Sequence, residues 1–289
     1  MIVAVQNRPS RDRGHEFARV LKVYGKIGAL GSLFSDERIV EILSREGPIT
    51  RIMVDSPLTS PPCVECTRPV CPGVLKCEDL SVAWMLAIAG RHARGRGGKS
   101  GRMINPQAQR LWDVMAAAEG LPGTGPVRQR AGAVSGDDRE GDHPQEEGLA
   151  TREPTWTSGR APLVVRARTL QRRLAQAMPG LAVEETSIPD VVDGLALSGD
   201  AGAPDQSHYR SFEYGLQTRL AILARLDASG ELVTSTEDRA VIAASVETFH
   251  AAMSGWVSAL AQVGRTLPRP ETWIASEGWV VLPESRRDR

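Results

Sequence analysis

The chain has 289 residues, 41% of them hydrophobic, enough to bury one large core or two modest ones. Lys plus Arg and Asp plus Glu number 35 each, so the charge is balanced; bulk attraction to nucleic acid is not indicated, and any such role has to rest on a local patch. No basic region followed by a long apolar run opens the chain and no window reaches the roughly 18 apolar residues of a membrane span, so a cytoplasmic protein without a membrane partner is expected.

Met1 to Val5 reads as a short apolar strand closed by Gln6-Asn7-Arg8-Pro9. Phe17 to Tyr24 and Ile27 to Leu33 flank Gly25-Lys26 and read as a hairpin. Ser35 with Asp36 and Glu37 marks the start of a helix that Gly47-Pro48 ends. Ile49 to Val54 then reads as a buried strand, expected to pair parallel with the first, and it delivers Asp55 to its carboxyl end. In an open α/β sheet that edge is where ligands and catalytic side chains gather.

All four cysteines follow at once, as C-x2-C-x4-C-x5-C: Cys63, Cys66, Cys71 and Cys77, with prolines and Gly73 bending the chain between them. Four thiolates on such a knuckle suit a tetrahedral metal site, and zinc is favoured over an iron–sulfur cluster because the spacings match neither common ferredoxin pattern. Reduced thiols in a loop, or two disulfides, are the alternatives.

Glu78-Asp79 opens a helix with Val82, Met85, Leu86 and Ala89 on one face, ending at Gly90. From Leu80 to Trp112 there is no acidic residue, while Arg91, Arg94, Arg96, Lys99, Arg102 and Arg110 fall there among several glycines. The basic run reads as a phosphate-contacting loop or as a solvated linker between helices. Gly97-Gly98-Lys99-Ser100 is no phosphate loop, since the first glycine of that motif would fall on Ala93 behind a helix.

Asn105-Pro106 starts a further helix, and Gly120 to Arg160 loses periodicity, as a disordered insertion would. Residues 1–119 and 161–289 are therefore expected to form two parts of one domain around an insertion at 120–160. Order resumes with a helix from Leu163 to Met178, a strand from Leu181 to Glu185, and a helix from Tyr209 to Leu226 burying Phe212, Leu216, Leu220 and Leu223. Glu237 to Val263 reads as one long helix with Ile242, Val246, Phe249, Met253, Trp256, Leu260 and Val263 on its buried face. His250 flanks that stripe, where a histidine is either packed and hydrogen-bonded or a ligand. Trp279 to Pro283 closes the chain as an apolar strand before a basic tail.

VDSPLTSPPC with the cysteines after it, RLWDVM, LVVRARTLQRRL, VEETSIP, FHAAMSGWVSALAQVGR and the closing EGWVVLP together resemble the DUF429 family, its cysteine-bearing members best. The resemblance spans nearly all of the chain outside 120–160. It implies a mixed α/β sheet of ribonuclease H-like type flanked by helices, with the four-cysteine knuckle inserted, and a metal-dependent nuclease that hydrolyses DNA or RNA phosphodiesters. Carboxylates from the first strand, the strand ending in Asp55, a later strand and the last helix would then hold two divalent ions, Mg²⁺ or Mn²⁺.

Asp55 matches that set, and Glu185 matches the third position with Glu184 as the alternative. Gln6 stands at the first-strand position and His250 in the last helix, where the family carries acids. The resemblance thus implies Asp55, Glu185 and His250 as catalytic residues, with Arg91, Arg94, Arg96, Lys99 and Arg102 at the phosphates. The alternative is a ribonuclease H-like module without activity, held by structural zinc, that binds nucleic acid or a protein partner.

Overall fold

The computed structural model describes residues 2–7, 17–24, 35–95, 104–118, 161–196, 206–274 and 277–284. The fold is mixed α/β, with eight helices and two small sheets among those residues. The chain divides into two compact units, residues 1–59 with 162–289, and residues 60–161.

In the first unit, β1 (Ile2–Asn7) pairs antiparallel with β2 (Ala18–Tyr24), Ile2 opposite Tyr24 and Asn7 opposite Ala18. Val233 extends that sheet beside β2 through Val20 N to Val233 O at 3.0 Å and Val233 N to Ala18 O at 2.7 Å. After α1 (Ser35–Arg45), β3 (Arg51–Val54) pairs parallel with β4 (Ala182–Glu185), Val54 opposite Glu185. Val281 N donates to Glu185 O at 2.8 Å, so the closing apolar segment lines the other edge of β4.

The expected parallel pairing of the first strand with β3 does not form among the described residues. The hydrogen bonds of β1 go to β2, and those of β3 go to β4. A helix, not a ladder, spans the two sheets: α8 (Val246–Gln262) packs on both β1 and β3. Its approach to β1 is close, since a Cβ on Gly255 would lie 2.5 Å from Val5 Cγ2. The second hairpin strand, the insertion at 120–160 and the basic tail lie outside the described residues.

Four helix expectations change, the first being that the helix expected from Asn105-Pro106 begins only at Leu111. The long last helix is two, α7 (Thr236–Ala244) and α8, because Ser245 is extended (φ −134°, ψ 155°) and its Oγ accepts the Thr248 N–H. A serine hydroxyl that competes for backbone N–H groups favours a cap over a helix interior. The apolar stripe survives the break because Ile242, Phe249, Met253, Trp256 and Leu260 are all buried, while Val263 is exposed.

The helix expected from Tyr209 begins instead at Gly215, as α6 (Gly215–Ala228), behind a short 3-10 helix at Gln206–Arg210. Phe212 and Leu216 are consequently exposed, and the buried face carries Thr218, Arg219, Ile222, Leu223 and Leu226. Arg219 is tolerated there because Nε donates to Ala243 O at 2.7 Å and Nη1 to Tyr209 O at 2.6 Å. The first unit is completed by α4 (Ala161–Ala177), with Val164 and Leu174 buried, and α5 (Ile188–Ala196).

In the second unit, Asp79 caps α2 (Leu80–Gly95) by accepting Ser81 N at 2.9 Å and Val82 N at 3.2 Å. The helix runs past Gly90, which a single glycine inside a helix costs too little to prevent. It packs on α3 (Leu111–Ala118), with Val82, Met85, Leu111 and Trp112 in the core.

Gly255→Ala is expected to destabilise the protein by about 1–3 kcal/mol through overpacking against stiff Val5, measured by urea denaturation. Adding Val5→Ala should recover at least half of the loss, because the clash is with that side chain; equal stability of the single variant and the wild type would disprove the close approach.

Candidate functional site

Four elements fix the surroundings of Asp55. Thr186 N donates to Val54 O at 2.9 Å, continuing the parallel register to the last residue of β3. Leu58 N then donates to Glu185 Oε2 at 3.0 Å, and Gly278 N to Thr59 Oγ1 at 3.3 Å. The turn after β3 is thereby tied to β4 and to the closing segment. A Cβ on Gly278 would lie 2.8 Å from Thr59 Oγ1, so glycine is what lets the closing segment approach.

The Asp55 side chain is shared between two helices. Oδ1 accepts the backbone N–H of Ile188, the first residue of α5, at 3.0 Å. Oδ2 lies 2.6 Å from His250 Nδ1, on the second turn of α8. The side chains of His250 and Asp55 are 16% and 25% exposed. Nε2 of His250 is buried and has no hydrogen-bond partner among the described residues.

Burial by itself pushes the Asp55 carboxyl up. The hydrogen bond and charge of His250, the Ile188 N–H and the Arg210 charge together outweigh it and hold the group below the usual aspartate range. Asp55 is therefore ionised at neutral pH, and its oxygen accepts the proton that Nδ1 carries. The helix N-terminus adds its own partial positive charge at Oδ1.

Tyr209 and Arg210 belong to this site, and nothing in the sequence pattern singled them out. The Tyr209 ring lies 5.7 Å from the His250 ring and 5.6 Å from that of Phe249, and the Arg210 guanidinium sits 5.3 Å from the Tyr209 ring. Burial first, against the pull of Arg210 and with the charges of Asp55 and Asp193, pushes the Tyr209 hydroxyl up to about 12. It is protonated and neutral at any physiological pH, which bars it from acting as a base.

Of the residues expected at the site, the structure brings Asp55 and His250 together and leaves the others apart. Glu185 is buried beneath the turn, holding Leu58 N. Its register partner is Val54, so the two-residue period of a strand puts it out of phase with Asp55. Glu184 forms an ion pair with Arg51. Gln6 is exposed at the end of β1, and among the described residues no hydrogen bond joins it to Asp55 or His250. Among the described residues no group of three or more His, Cys, Asp and Glu side chains is gathered closely enough to hold a metal ion.

In the second unit the four cysteines are free thiols, Cys63 and Cys77 half-buried, Cys66 and Cys71 exposed. The disulfide alternative is not formed. Burial pushes the Cys63 thiol up, and the charges that Cys77, Cys66, Cys71 and Asp79 would carry push it further. In the basic run, Arg91 is exposed on α2 and Arg94 lies in the same helix, whereas Arg96, Lys99 and Arg102 lie outside the described residues. Arg110 is no phosphate contact: it is buried and pairs with Asp113 at 3.3 Å.

No family model, no curated protein and no solved structure matches the chain.

A carboxylate held below its ordinary range stabilises the fold in full above the ordinary aspartate pKa of about 3.9, and that contribution is lost as pH falls through the lower folded value. Urea denaturation of the wild type and Asp55→Asn should therefore show a stability gap that narrows as pH drops through that window. A gap that stays constant would mean that the Asp55 charge carries no part of the effect.

Proposed function

We propose that the first unit is a nuclease of ribonuclease H-like, DUF429-type architecture, hydrolysing nucleic-acid phosphodiesters at Asp55. The observation that supports the reading best is the Asp55–His250 pair: an ionised carboxylate, held by a histidine and a helix N-terminus, at the carboxyl end of a parallel strand.

The donor set fits one divalent ion rather than two. Asp55 keeps free lone pairs on hard oxygens and part of its side chain faces solvent, which suits a hydrated Mg²⁺ or Mn²⁺ bound through one carboxylate and the substrate's own phosphate. Such an ion would stabilise the charge that develops on the phosphoryl oxygens. Asp55 supplies the anchoring charge. His250 fixes the rotamer of that carboxylate and holds a proton at Nδ1 against it. Arg210, whose charge reaches Asp55, attracts the phosphate, and Glu185 keeps the turn in place from below.

The second reading is a module that binds nucleic acid or protein without cleaving it. It is favoured by Gln6 and by Glu185, neither of which adds a carboxylate beside Asp55. Under both readings we propose structural zinc on Cys63, Cys66, Cys71 and Cys77. As placed, these thiols are not gathered at metal-holding distance, so binding would have to draw them together.

Purified protein given mixed DNA and RNA is expected to cleave weakly, faster with Mn²⁺ than with Mg²⁺, since Mg²⁺ demands near-ideal octahedral geometry and gives up its waters reluctantly. Asp55→Asn should lower the rate by about 100-fold or more, on the scale of losing one electrostatic stabiliser. Equal cleavage by that variant would assign the activity to a contaminant, and no cleavage in a protein that still binds nucleic acid would favour the second reading. For the cysteines, elemental analysis of protein prepared under reducing conditions should give about one zinc per chain, lost in Cys66→Ser; metal-free wild-type protein would end the zinc proposal.

A further inference from the structure

The turn between the 3-10 helix Gln206–Arg210 and α6 carries a feature that hydrolysis at Asp55 does not use. Phe212 is fully exposed, Tyr214 is 54% exposed, and Leu216 is 43% exposed. Single exposed apolar residues are ordinary, but two exposed aromatics and a leucine within five positions of one turn are a local concentration of apolar surface.

The backbone beneath them is pinned. Ser211 Oγ accepts the N–H groups of Glu213 at 3.2 Å and Tyr214 at 3.3 Å, and Gly215 N donates to Ser211 O at 3.0 Å. Buried Arg219 ties Tyr209 O to Ala243 O from within the core. A Cβ on Gly215 would lie 2.7 Å from Arg219 Nη1 and 2.9 Å from Tyr209 O, so the turn closes down on the core where no side chain fits. The rings are thus presented outward by a fixed scaffold. Arg210, two residues before Phe212, begins a chain of contacts to the site, with Arg210 over Tyr209, Tyr209 against His250, and His250 bonded to Asp55.

We propose that Phe212 and Tyr214 are a stacking platform for the bases of a single-stranded nucleic acid, with Arg210 taking the adjoining phosphate. The substrate class rests on the nucleic-acid reading of Asp55, while the platform itself is tested by binding alone. Aromatic faces stack on any base, and only an unpaired strand offers base faces, so the surface selects single strands without selecting sequence. Arg210 supplies the charge complementarity that a purely apolar partner would not need.

The test is fluorescence anisotropy with a short labelled oligothymidylate in EDTA, where divalent-ion cleavage is off. Wild-type protein is expected to bind the single strand at least about tenfold tighter than the matching duplex, and Phe212→Ala and Tyr214→Ala should each weaken it about tenfold. Arg210→Ala should weaken binding and reduce the salt slope by about 1. Because Phe212 is fully exposed, its replacement leaves the fold intact, which circular dichroism checks.

Unchanged affinity in a folded Phe212→Ala, a preference for duplex, or binding confined to RNA would each overturn the platform, the last by placing recognition on the 2′-hydroxyl. Loss of self-association in Phe212→Ala with unchanged oligonucleotide binding would overturn it too, since the patch would then be a contact between copies. Cleavage without single-strand preference sinks the platform and leaves the Asp55 reading standing. Single-strand binding by a protein that never cleaves does the reverse.

Discussion

One carboxylate ties the first unit together. The backbone before Asp55 is held by β4, its Oδ1 by the first N–H of α5, and its Oδ2 by His250 of α8. A charge with only a quarter of its side chain in water is tolerated only if its oxygens are hydrogen-bonded, and here each oxygen has a partner from a different helix. The constraint is reciprocal. Losing the charge would strand the Ile188 N–H and the His250 Nδ1–H together, so strand end, helix start and helix flank are specified as one arrangement. Pairs bound this way do not contribute independently, and their energies are not additive.

The position of His250 within that arrangement is set by two small residues. Ser245 ends α7 and starts α8 anew, so the phase of α8 is fixed by its own cap and not inherited from the preceding helix. Gly255 then lets the helix settle onto β1, where a side chain would collide with Val5. Between cap and contact point, His250 has little freedom to rotate away from Asp55. Arg219 closes the same region from beneath, satisfying the terminal carbonyl of Ala243 and that of Tyr209 at once. The aromatic wall of the site and the start of the last helix therefore share one buried cation.

Elements with strong local signals were legible in the sequence: β3 and β4 from their apolar runs, α2 from the Asp79 cap, and α8 from its stripe. The meeting of Asp55 with His250 was an expectation as well, and the two side chains lie 2.6 Å apart. What failed to show was long-range or competitive. Periodicity passes through Ser245 undisturbed because the two helices bury consecutive parts of one stripe, and only the serine's competing hydroxyl marks the break. Phe212 reads as a core residue by spacing, but the turn closed by Ser211 delays the helix to Gly215 and turns the ring outward. Tyr209 and Arg210 carry no local pattern at all; they reach the site because Arg219, from another helix, holds that backbone.

The two carboxylates at the end of the β3–β4 ladder divide the work of the site by phase alone. Glu185, opposite Val54, is buried and spends its charge on the Leu58 N–H, which stiffens the turn that Asp55 begins. Asp55, one residue beyond Val54, keeps a share of solvent and meets the His250 ring, the start of α5 and the charge of Arg210. Had both acids faced the same side, their mutual repulsion would have raised at least one of them toward neutrality unless metal ions were bound. Separated, each stays paired without any ion, so the arrangement is stable on its own and an arriving cation faces one available carboxylate. Under the proposed nuclease reading the same separation limits the chemistry: a single anchored charge can position one ion and one phosphate, and everything else a reaction there would need must come from Arg210, His250 and the substrate itself.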